Sequence, residues 1–224
     1  MSLEGVAIAV LARAPVAGQA KTRLIPALGE RGAARLQRLM TLRTLQTAMD
    51  SGVGDVHLWC APDSGHRFFK ALSKVQGLVI HEQPEGDIGL RMLSAFEAHL
   101  SGDRNLGLIL VGTDCPGFTS DHLRQAAGAL LTHDAVFTPA EDGGYVLVGL
   151  RRAQASIFES IDWSTEKVMA QTRERMRSAG LSWYEMPVLA DIDLPCDLDG
   201  LAASRALPSA DRLLGFGRWA EIRF

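Results

Sequence analysis

The chain has 224 residues, of which 47% are hydrophobic and 22% are charged, and its formal net charge is −3. This length and composition predict a globular enzyme with a single domain spanning residues 1–224. The slightly negative charge gives no general attraction to nucleic acid or to an anionic membrane, so any bound anion must be held by a local cluster of cations.

Cysteine usage and the apolar runs indicate the compartment. The three cysteines, Cys60, Cys115 and Cys196, are widely spaced and form no Cys-x-x-Cys pair, which favours a reducing environment over a disulfide framework. No basic segment leads into a signal-type apolar run, and no stretch reaches the length of a membrane span. We expect a cytoplasmic protein, whose oligomeric state the sequence does not indicate.

Short apolar runs alternate with longer amphipathic segments along the chain. Strands are predicted at 6–11, 56–61, 78–82, 108–111, 135–140, 145–150 and 183–189, and helices at 30–49, 66–72, 90–100 and 121–132, from Thr165 to 179, and from Pro195 onward. Ser164 or Thr165 is expected to cap the helix that follows them. This alternation predicts an α/β fold in three layers, with a mostly parallel sheet and helices on both faces.

The first strand is followed by a basic loop. Arg13, Lys21 and Arg23 lie in this loop with no acid among them, and Pro15 and Gly18 favour a shaped turn. Such a loop can hold phosphates through its cations and free backbone N–H groups. It is neither a Walker loop nor a Gly-x-Gly-x-x-Gly turn, and a solvated loop that is merely basic explains the same residues.

Residues 83–89 form a second loop, which leads into a predicted helix. Gly86 and Gly89 in this loop would permit the backbone to approach a ligand closely. Two histidines, His57 and His66, have no evident partner in the sequence, and for an isolated histidine a structural role is expected.

The run 108–111 is typical of a strand that is buried on both faces. It ends at Gly112-Thr113-Asp114, and Pro116 cannot donate a backbone hydrogen bond to a neighbouring strand. Asp114 therefore lies at the carboxyl end of a central strand, where open α/β sheets bind their ligands. Asp114 could instead cap the next helix, but Thr119 lies closer to that helix and can supply the cap.

A second acidic strand end is predicted at Asp142. The sequence Asp142-Gly143-Gly144 before the strand 145–150 is typical of a hairpin turn, in which the aspartate has a structural role. The two glycines would also leave room for a substrate, which allows Asp142 to act as the base that takes a proton from an acceptor.

A third acidic group, Asp191 and Asp193, follows the last predicted strand. Two residues apart, these side chains point the same way if the segment is extended. With Asp114 they would form an oxygen-rich group suited to Mg²⁺ or Mn²⁺, which bridge carboxylates to substrate phosphates. Three such acids without a metal would repel one another and raise their pKa values. Alternatively, Asp191 and Asp193 only begin a helix.

Six segments in chain order resemble one bacterial family of GT-A-fold proteins. These are nucleotide-diphospho-sugar transferase homologues, related to molybdenum-cofactor guanylyltransferase and to phospholactate guanylyltransferase, and members are often named glycosyltransferases. The matching segments are 11–24, 86–92, 112–116, 142–145, 163–165 and 191–195. The chain departs from the family at Arg13, where Lys is common, and at 193–197, where Asp-Leu-Pro-Cys-Asp replaces the usual pattern and loses a Thr hydroxyl.

The resemblance implies a role for each matching residue. Nucleotide and phosphate binding is implied for Ala12, Arg13, Lys21, Arg23, Gly86, Gly112 and Thr113. Substrate binding is implied for Gly143, Gly144, Tyr145, Trp163, Ser164 and Thr165, catalysis for Asp142 and Lys21, and metal binding for Asp114, Asp191 and Asp193.

The function predicted from these residues is glycosyl transfer from a nucleotide-diphospho-sugar to a small acceptor, with Mg²⁺ or Mn²⁺ at the diphosphate. Nucleotidyl transfer from a nucleoside triphosphate, with release of pyrophosphate, would use the same metal and basic loop. A protein that only binds a nucleotide and acts as a regulatory module is the third reading.

Overall fold

The computed structural model describes residues 5–102 and 106–198. It contains seven strands, β1 (Val6–Arg13), β2 (Val56–Ala61), β3 (Leu78–Glu82), β4 (Gly107–Val111), β5 (Ala135–Pro139), β6 (Tyr145–Leu150) and β7 (Trp183–Glu185). Five α-helices are interspersed with them: α1 (Ile25–Ser51), α2 (Arg67–Leu72), α3 (Ile88–Leu100), α4 (Ser120–Ala129) and α5 (Val168–Ser178).

All seven strands form one sheet in the order β3-β2-β1-β4-β6-β5-β7. The pairs β1–β2, β1–β4, β2–β3 and β5–β7 are parallel, whereas β6 is antiparallel to both of its neighbours. Only β6 therefore runs in the opposite direction, and the carboxyl ends of the other strands lie at one edge. The predicted three-layer, mostly parallel α/β fold is confirmed.

Each face of the sheet is covered by its own apolar cluster. On one face, side chains such as Ile8 and Leu58 pack against Leu45 of α1, Phe69 of α2 and Leu123 of α4. On the other face, residues of the strands pack against α3 and α5, among them Ala9, Phe96 and Met169. The inner strands β1, β4 and β5 are buried on both sides, which explains why they are nearly continuous apolar runs, whereas the edge strands β3 and β7 are partly exposed.

Several predicted boundaries differ from those in the structure. Helix α1 is assigned from Ile25, with Pro26 in its first turn, but Gly29 has a non-helical backbone (φ 67°, ψ 165°). This kink separates a short first turn from the main helix, which starts at Glu30 as predicted. Strand β7 ends at Glu185 rather than near Leu189, although Leu189 forms an isolated bridge with Ala140. Most of the helix predicted from Pro195 onward lies outside the described residues.

The predicted cap of α5 is met only in part. The residue directly before this helix is Lys167, which makes no side-chain capping hydrogen bond. The Thr165 hydroxyl accepts from the backbone N–H of Lys167 and donates to the Asp162 carbonyl oxygen, so it caps the turn that leads into α5. Ser164, with a left-handed backbone (φ 64°), belongs to the same turn. By contrast, Thr119 caps α4, as expected, which leaves Asp114 free of that role.

No helix within residues 5–102 and 106–198 combines the length and the apolar character that crossing a membrane requires.

Candidate active site

A cleft of about 390 Å³ opens at the carboxyl edge of the sheet, between the ends of β1 and β4. After β1 the chain forms β2 and β3 on one side of it and then crosses to form β4 on the other. In open α/β sheets this reversal of strand order creates the crevice in which ligands bind. The volume is within the range of small-molecule sites.

Lys21 joins three distant segments at the centre of this edge. Its Nζ lies 2.9 Å from Oδ1 of Asp114 and donates to the carbonyl oxygen of Ile192 at 2.6 Å. The Lys21 side chain is only 3% exposed, whereas that of Asp114 is 48% exposed. The backbone N–H of Ile192 also donates to the Asp114 carbonyl oxygen. The basic loop, the end of β4 and the segment 191–193 are therefore held together.

A second ion pair links the same segments at the surface. Arg23 Nη1 donates to Oδ2 of Asp193 at 2.6 Å, and both side chains are largely exposed. The turn beyond is fixed by Asp197, which accepts from the backbone N–H groups of Asp193 and Leu194. Burial opposes ionisation of Asp197, but these two hydrogen bonds prevail and lower its pKa.

Asp191 lies among the other acids. Burial, together with the negative charges of Asp142, Asp114 and Asp193, raises its pKa to about 6. This is the repulsion expected of carboxylates that gather without a cation. Asp142 has the largest electrostatic effect among the three, so the hairpin turn after β5 also faces this acidic group.

Whether these acids could hold a metal depends on their donor atoms and their spacing. Carboxylate oxygens suit Mg²⁺ or Mn²⁺, and a cation, the Lys21 ammonium, already contacts Asp114. The oxygens of Asp114, Asp191 and Asp193 do not, however, all lie within 4.8 Å of one another. Because Mg²⁺ usually binds one or two carboxylates together with substrate phosphates, the residues fit a metal that arrives with a nucleotide.

Asp114 is positioned from α1. Nε2 of the buried Gln37 donates to the Thr113 hydroxyl at 2.9 Å, and that hydroxyl donates to Oδ1 of Asp114 at 3.4 Å. Gln37 also contacts the Thr41 hydroxyl, one turn along the helix. Gln37 was not among the predicted site residues. The one feature of the sequence that could have indicated it is its position as a polar residue within the apolar stripe of the helix.

The cleft collects many of the predicted site residues. Those that line it are Ala12, Arg13, Lys21, Arg23, Gly112, Thr113, Asp114, Tyr145 and Asp193. Those outside its lining are Gly86, Asp142, Gly143, Gly144, Trp163, Ser164, Thr165 and Asp191. The assigned roles stay predictions, but the first group meets around one cavity.

The Asp142 turn has the structural features of a hairpin. Oδ1 of Asp142 accepts from the Gly144 backbone N–H at 2.9 Å, and the side chain is exposed. Gly143 has φ 88°, and a Cβ atom there would overlap the backbone of Glu166. The Gly143 carbonyl oxygen accepts from the backbone N–H of Met169 near the start of α5. Gly143 thus serves close packing against the turn that precedes α5.

Trp163 lies one layer behind the cleft. A Cβ atom added at Gly89 would lie 2.5–2.7 Å from its indole ring, so the absence of a side chain at Gly89 admits the ring. Gly89 belongs to α3, whose residues Ile88, Arg91 and Met92 line the cleft. Trp163 can therefore act on a ligand through the position of α3.

Two further polar residues of the cleft were not among the predicted sites. Arg91 lines the cavity, and its Nε donates to the Gly86 carbonyl oxygen at 3.1 Å. Gln83 donates to the carbonyl oxygens of Trp59 and Ala12 and so joins the loop after β3 to the end of β1. Arg91 lies within segment 86–92, which resembles the bacterial family, and this resemblance could have indicated Arg91 as a site residue.

The fold and the cleft define a protein of the nucleotide-diphospho-sugar transferase fold. More particularly, a sequence model for the family described as "Uncharacterized protein conserved in bacteria (DUF2064)" matches residues 44–165. This is more than half of the chain, and the chain belongs to that family.

Solved structures support the fold. A protein from Desulfovibrio desulfuricans G20, provisionally named a nucleotide-diphospho-sugar transferase, is 29% identical with a TM-score of 0.83, over 97% of this chain and 93% of its own. The 4-diphosphocytidyl-2C-methyl-D-erythritol synthase of Anaerococcus prevotii DSM 20548 is 12% identical (TM-score 0.60; 91% and 96% covered). Rv0371c of Mycobacterium tuberculosis H37Rv, in complex with manganese, is 16% identical (TM-score 0.52; 92% and 100% covered).

A comparison with curated proteins finds none that matches this chain. The similarity to the nucleotide-diphospho-sugar transferase fold is confirmed. The closer kinship with guanylyltransferases stays a prediction.

Proposed function

We propose that this protein is a divalent-metal-dependent transferase that uses a nucleotide-diphospho-sugar as donor and transfers the sugar to a small acceptor. The observation that carries the proposal is the charge of the cleft. Four cations line it, Arg13, Lys21, Arg23 and Arg91, against two carboxylates, Asp114 and Asp193. The whole chain has a net charge of −3, so this local excess of positive charge favours a polyanion such as a diphosphate.

The remaining lining suits the rest of a nucleotide sugar. Apolar side chains such as Leu11, Ile88 and Leu110 offer contact area for a base or sugar ring, and Gln83 and Thr113 offer hydrogen bonds. The solved structure with the highest similarity quoted above is named after a nucleotide-diphospho-sugar transferase, which favours a nucleotide sugar as donor.

Asp114 and either Asp193 or Asp191 would hold Mg²⁺ or Mn²⁺ against the diphosphate. When bound, this cation would stabilise the negative charge that develops on the departing nucleoside diphosphate. Arg23 would be released from Asp193 towards a phosphate oxygen, and Lys21 would lie between the phosphates and the acids. Manganese in the Rv0371c complex supports a metal in this fold.

Nucleotidyl transfer is the second candidate, and the Asp142 turn favours it. Glycosyl transfer to a hydroxyl needs a base, whereas a phosphate acceptor is already ionised. Asp142 is occupied as the acceptor of a turn hydrogen bond and lies outside the cleft lining. A cytidylyl synthase also shares this fold.

The decisive experiment varies Asp114 and measures metal-dependent nucleotide binding. Asp114→Asn should reduce Mn²⁺-dependent binding of a nucleoside diphosphate by at least about ten-fold, since a charge-assisted contact contributes about 1.5–3 kcal/mol. Asp121→Asn, which removes an exposed carboxylate beside Arg124 outside the cleft lining, is the matched control. Unchanged Mn²⁺ dependence in Asp114→Asn would contradict the proposal.

Product analysis separates the two chemistries. With a panel of nucleotide sugars and nucleoside triphosphates, glycosyl transfer releases a nucleoside diphosphate and nucleotidyl transfer releases pyrophosphate. If glycosyl transfer operates with Asp142 as base, Asp142→Asn should keep nucleotide-sugar binding and lose transfer. Pyrophosphate release that Asp142→Asn leaves intact would establish the second candidate, and binding without any turnover would establish a nucleotide-binding module.

A further inference from the structure

Three of the six histidines meet near one end of the sheet. His57 lies on β2, His81 on the edge strand β3, and His99 in the last turn of α3. One nitrogen from each ring lies within 4.8 Å of the other two. Among residues 5–102 and 106–198, no other three His, Cys, Asp or Glu side chains converge so closely. His57 was predicted to be an isolated histidine with a structural role, but it belongs to a cluster of three histidines.

The cluster is separate from the cleft. None of the three histidines lines the cavity, whereas Ala61 at the end of β2 does. His57 precedes Ala61 by four residues of strand, which is about 13 Å along the strand direction. His81 lies further along the sheet, opposite Trp59, but an ion bound by all three histidines must also contact His57 at the amino end of β2. The acidic group lies at the carboxyl edge, so the two sets of donors cannot share one ion.

The parallel register of β2 and β3 creates the convergence. His57 lies opposite Val79 and Trp59 opposite His81, so alternate residues of the two strands point to the face covered by α3. Nδ1 of His57 and Nε2 of His81 are 3.0 Å apart, and the ring of His99 lies 4.1 Å from that of His57 between centroids. Trp59 stacks on His81, with ring planes 15° apart, and holds it in place.

These distances are close to those of a metal site. With Zn–N bonds of about 2.0–2.1 Å, the nitrogens of a tetrahedral zinc site are roughly 3.3 Å apart. The 3.0 Å separation already observed would change by a few tenths of an ångström. The third nitrogen, within 4.8 Å, needs only a modest side-chain rotation.

The surroundings keep the imidazoles neutral, as metal ligands must be. Burial lowers the pKa of all three histidines. For His57, burial together with the neighbouring His99 and His81 lowers the pKa to about 4, although Asp55 acts in the opposite direction. Each side chain is nevertheless only half-buried, so an ion and water can reach the cluster.

We propose that His57, His81 and His99 bind one divalent transition metal of borderline softness, Zn²⁺ above all, with water in the fourth position. Three imidazoles without a carboxylate suit Zn²⁺ and do not suit Mg²⁺. The bound ion joins the edge strand β3 and the end of α3 to β2, which stabilises this part of the molecule independently of the cleft.

The test is a calorimetric titration of Zn²⁺ into tag-free protein. His81→Gln and His99→Gln should each weaken the tightest Zn²⁺ binding by roughly 100-fold, at least as much as the loss of an outer-shell partner. His133→Gln, a histidine variant outside the cluster, and Asp114→Asn in the cleft should leave it unchanged. Equal Zn²⁺ affinity in all variants, or no binding to the wild type, would overturn the proposal and leave a hydrogen-bonded histidine cluster.

A measurement on the wild-type protein covers the case in which a variant fails to fold. In ¹⁵N spectra of the histidine rings, Zn²⁺ should shift the resonances of the three cluster residues and leave His66, His122 and His133 unchanged, and Mg²⁺ should shift none of the six. Shifts at the other three histidines instead of the cluster would refute the site.

Discussion

The position of Lys21 makes a specific prediction about competition between its ammonium and a metal. The Nζ of Lys21 lies 2.9 Å from Oδ1 of Asp114, so a metal ion that binds this carboxylate must displace the ammonium group or share the carboxylate with it. The phosphates of a nucleotide, in contrast, would be attracted by the positive charge of Lys21. Lys21→Met keeps much of the side chain and removes the charge, so we expect it to tighten metal binding in the absence of nucleotide and to weaken binding of a nucleoside diphosphate.

The magnitudes follow from the exposure of the pair. A fully exposed ion pair contributes about 0–1 kcal/mol, and breaking a buried pair costs about 3–5 kcal/mol. Lys21 is 3% exposed and Asp114 is 48% exposed, so we take about 1–2 kcal/mol for the pair, or a 5- to 30-fold gain in Mn²⁺ affinity when it is removed. One lost phosphate contact, about 1.5–3 kcal/mol, weakens nucleoside diphosphate binding roughly 10- to 150-fold.

Isothermal titration measures both affinities, first with Mn²⁺ alone and then with nucleoside diphosphates at saturating Mn²⁺. Arg23→Met is the matched control, because its ion pair with Asp193 has exposed partners and should alter Mn²⁺ affinity less than about five-fold. Lys21 also donates to the Ile192 carbonyl oxygen, so a melting curve must show that Lys21→Met is folded. Unchanged or weaker Mn²⁺ binding in folded Lys21→Met would refute the competition.

Two further predictions concern stability. The pKa of Asp191 in the folded protein is raised to about 6, so the contribution of this residue to the free energy of unfolding falls as the pH rises from about 4 to 6. In EDTA, Asp191→Asn should therefore have a higher melting temperature than the wild type at pH 7 and the same melting temperature near pH 4. Equal melting temperatures of the two proteins at both pH values would contradict this prediction. Gly143→Ala should destabilise the fold by more than about 2 kcal/mol in a melting assay, because Gly143 has φ 88° and a Cβ atom there would overlap Glu166. The control is Gly180→Ala, which should cost only about 1 kcal/mol, because Gly180 has φ 65° but open space around the added atom.

The inner strands were predictable because most of their residues are buried and apolar. The runs 56–61 and 145–150 are examples, and their bounds agree with β2 and β6. The edge strand β3 is only partly buried, but its predicted bounds, 78–82, agree as well. Local signals also identified the glycines that end α1 and follow α5, since Gly52 and Gly180 both have positive φ. Boundaries failed where tertiary contacts decide, as at α5, whose start depends on how the turn at 162–166 packs against Gly143.

The candidate site was predictable only in part, because its contacts join residues far apart in the chain. Lys21 and Ile192 are separated by 171 positions, and nothing in either segment encodes their distance. In a parallel sheet the strand ends meet at one edge, and this rule is why Asp114 was predicted to lie where the cleft is found. No such rule predicts the histidine cluster, because the three rings come together only through the register of β2 and β3.

The Lys21 ammonium is the buried link between the first loop and the acidic segment, beside the exposed pair of Arg23 and Asp193. Lys21 has a left-handed backbone, φ 45° and ψ 51°, which costs roughly 1 kcal/mol or more for a residue other than glycine. A glycine would relieve this strain but would leave Asp114 and the Ile192 carbonyl oxygen without the donor that links them. The strained conformation is therefore maintained by the two contacts of Nζ. A ligand that draws Nζ away acts at once on the loop, on Asp114 and on the segment that carries Asp191 and Asp193.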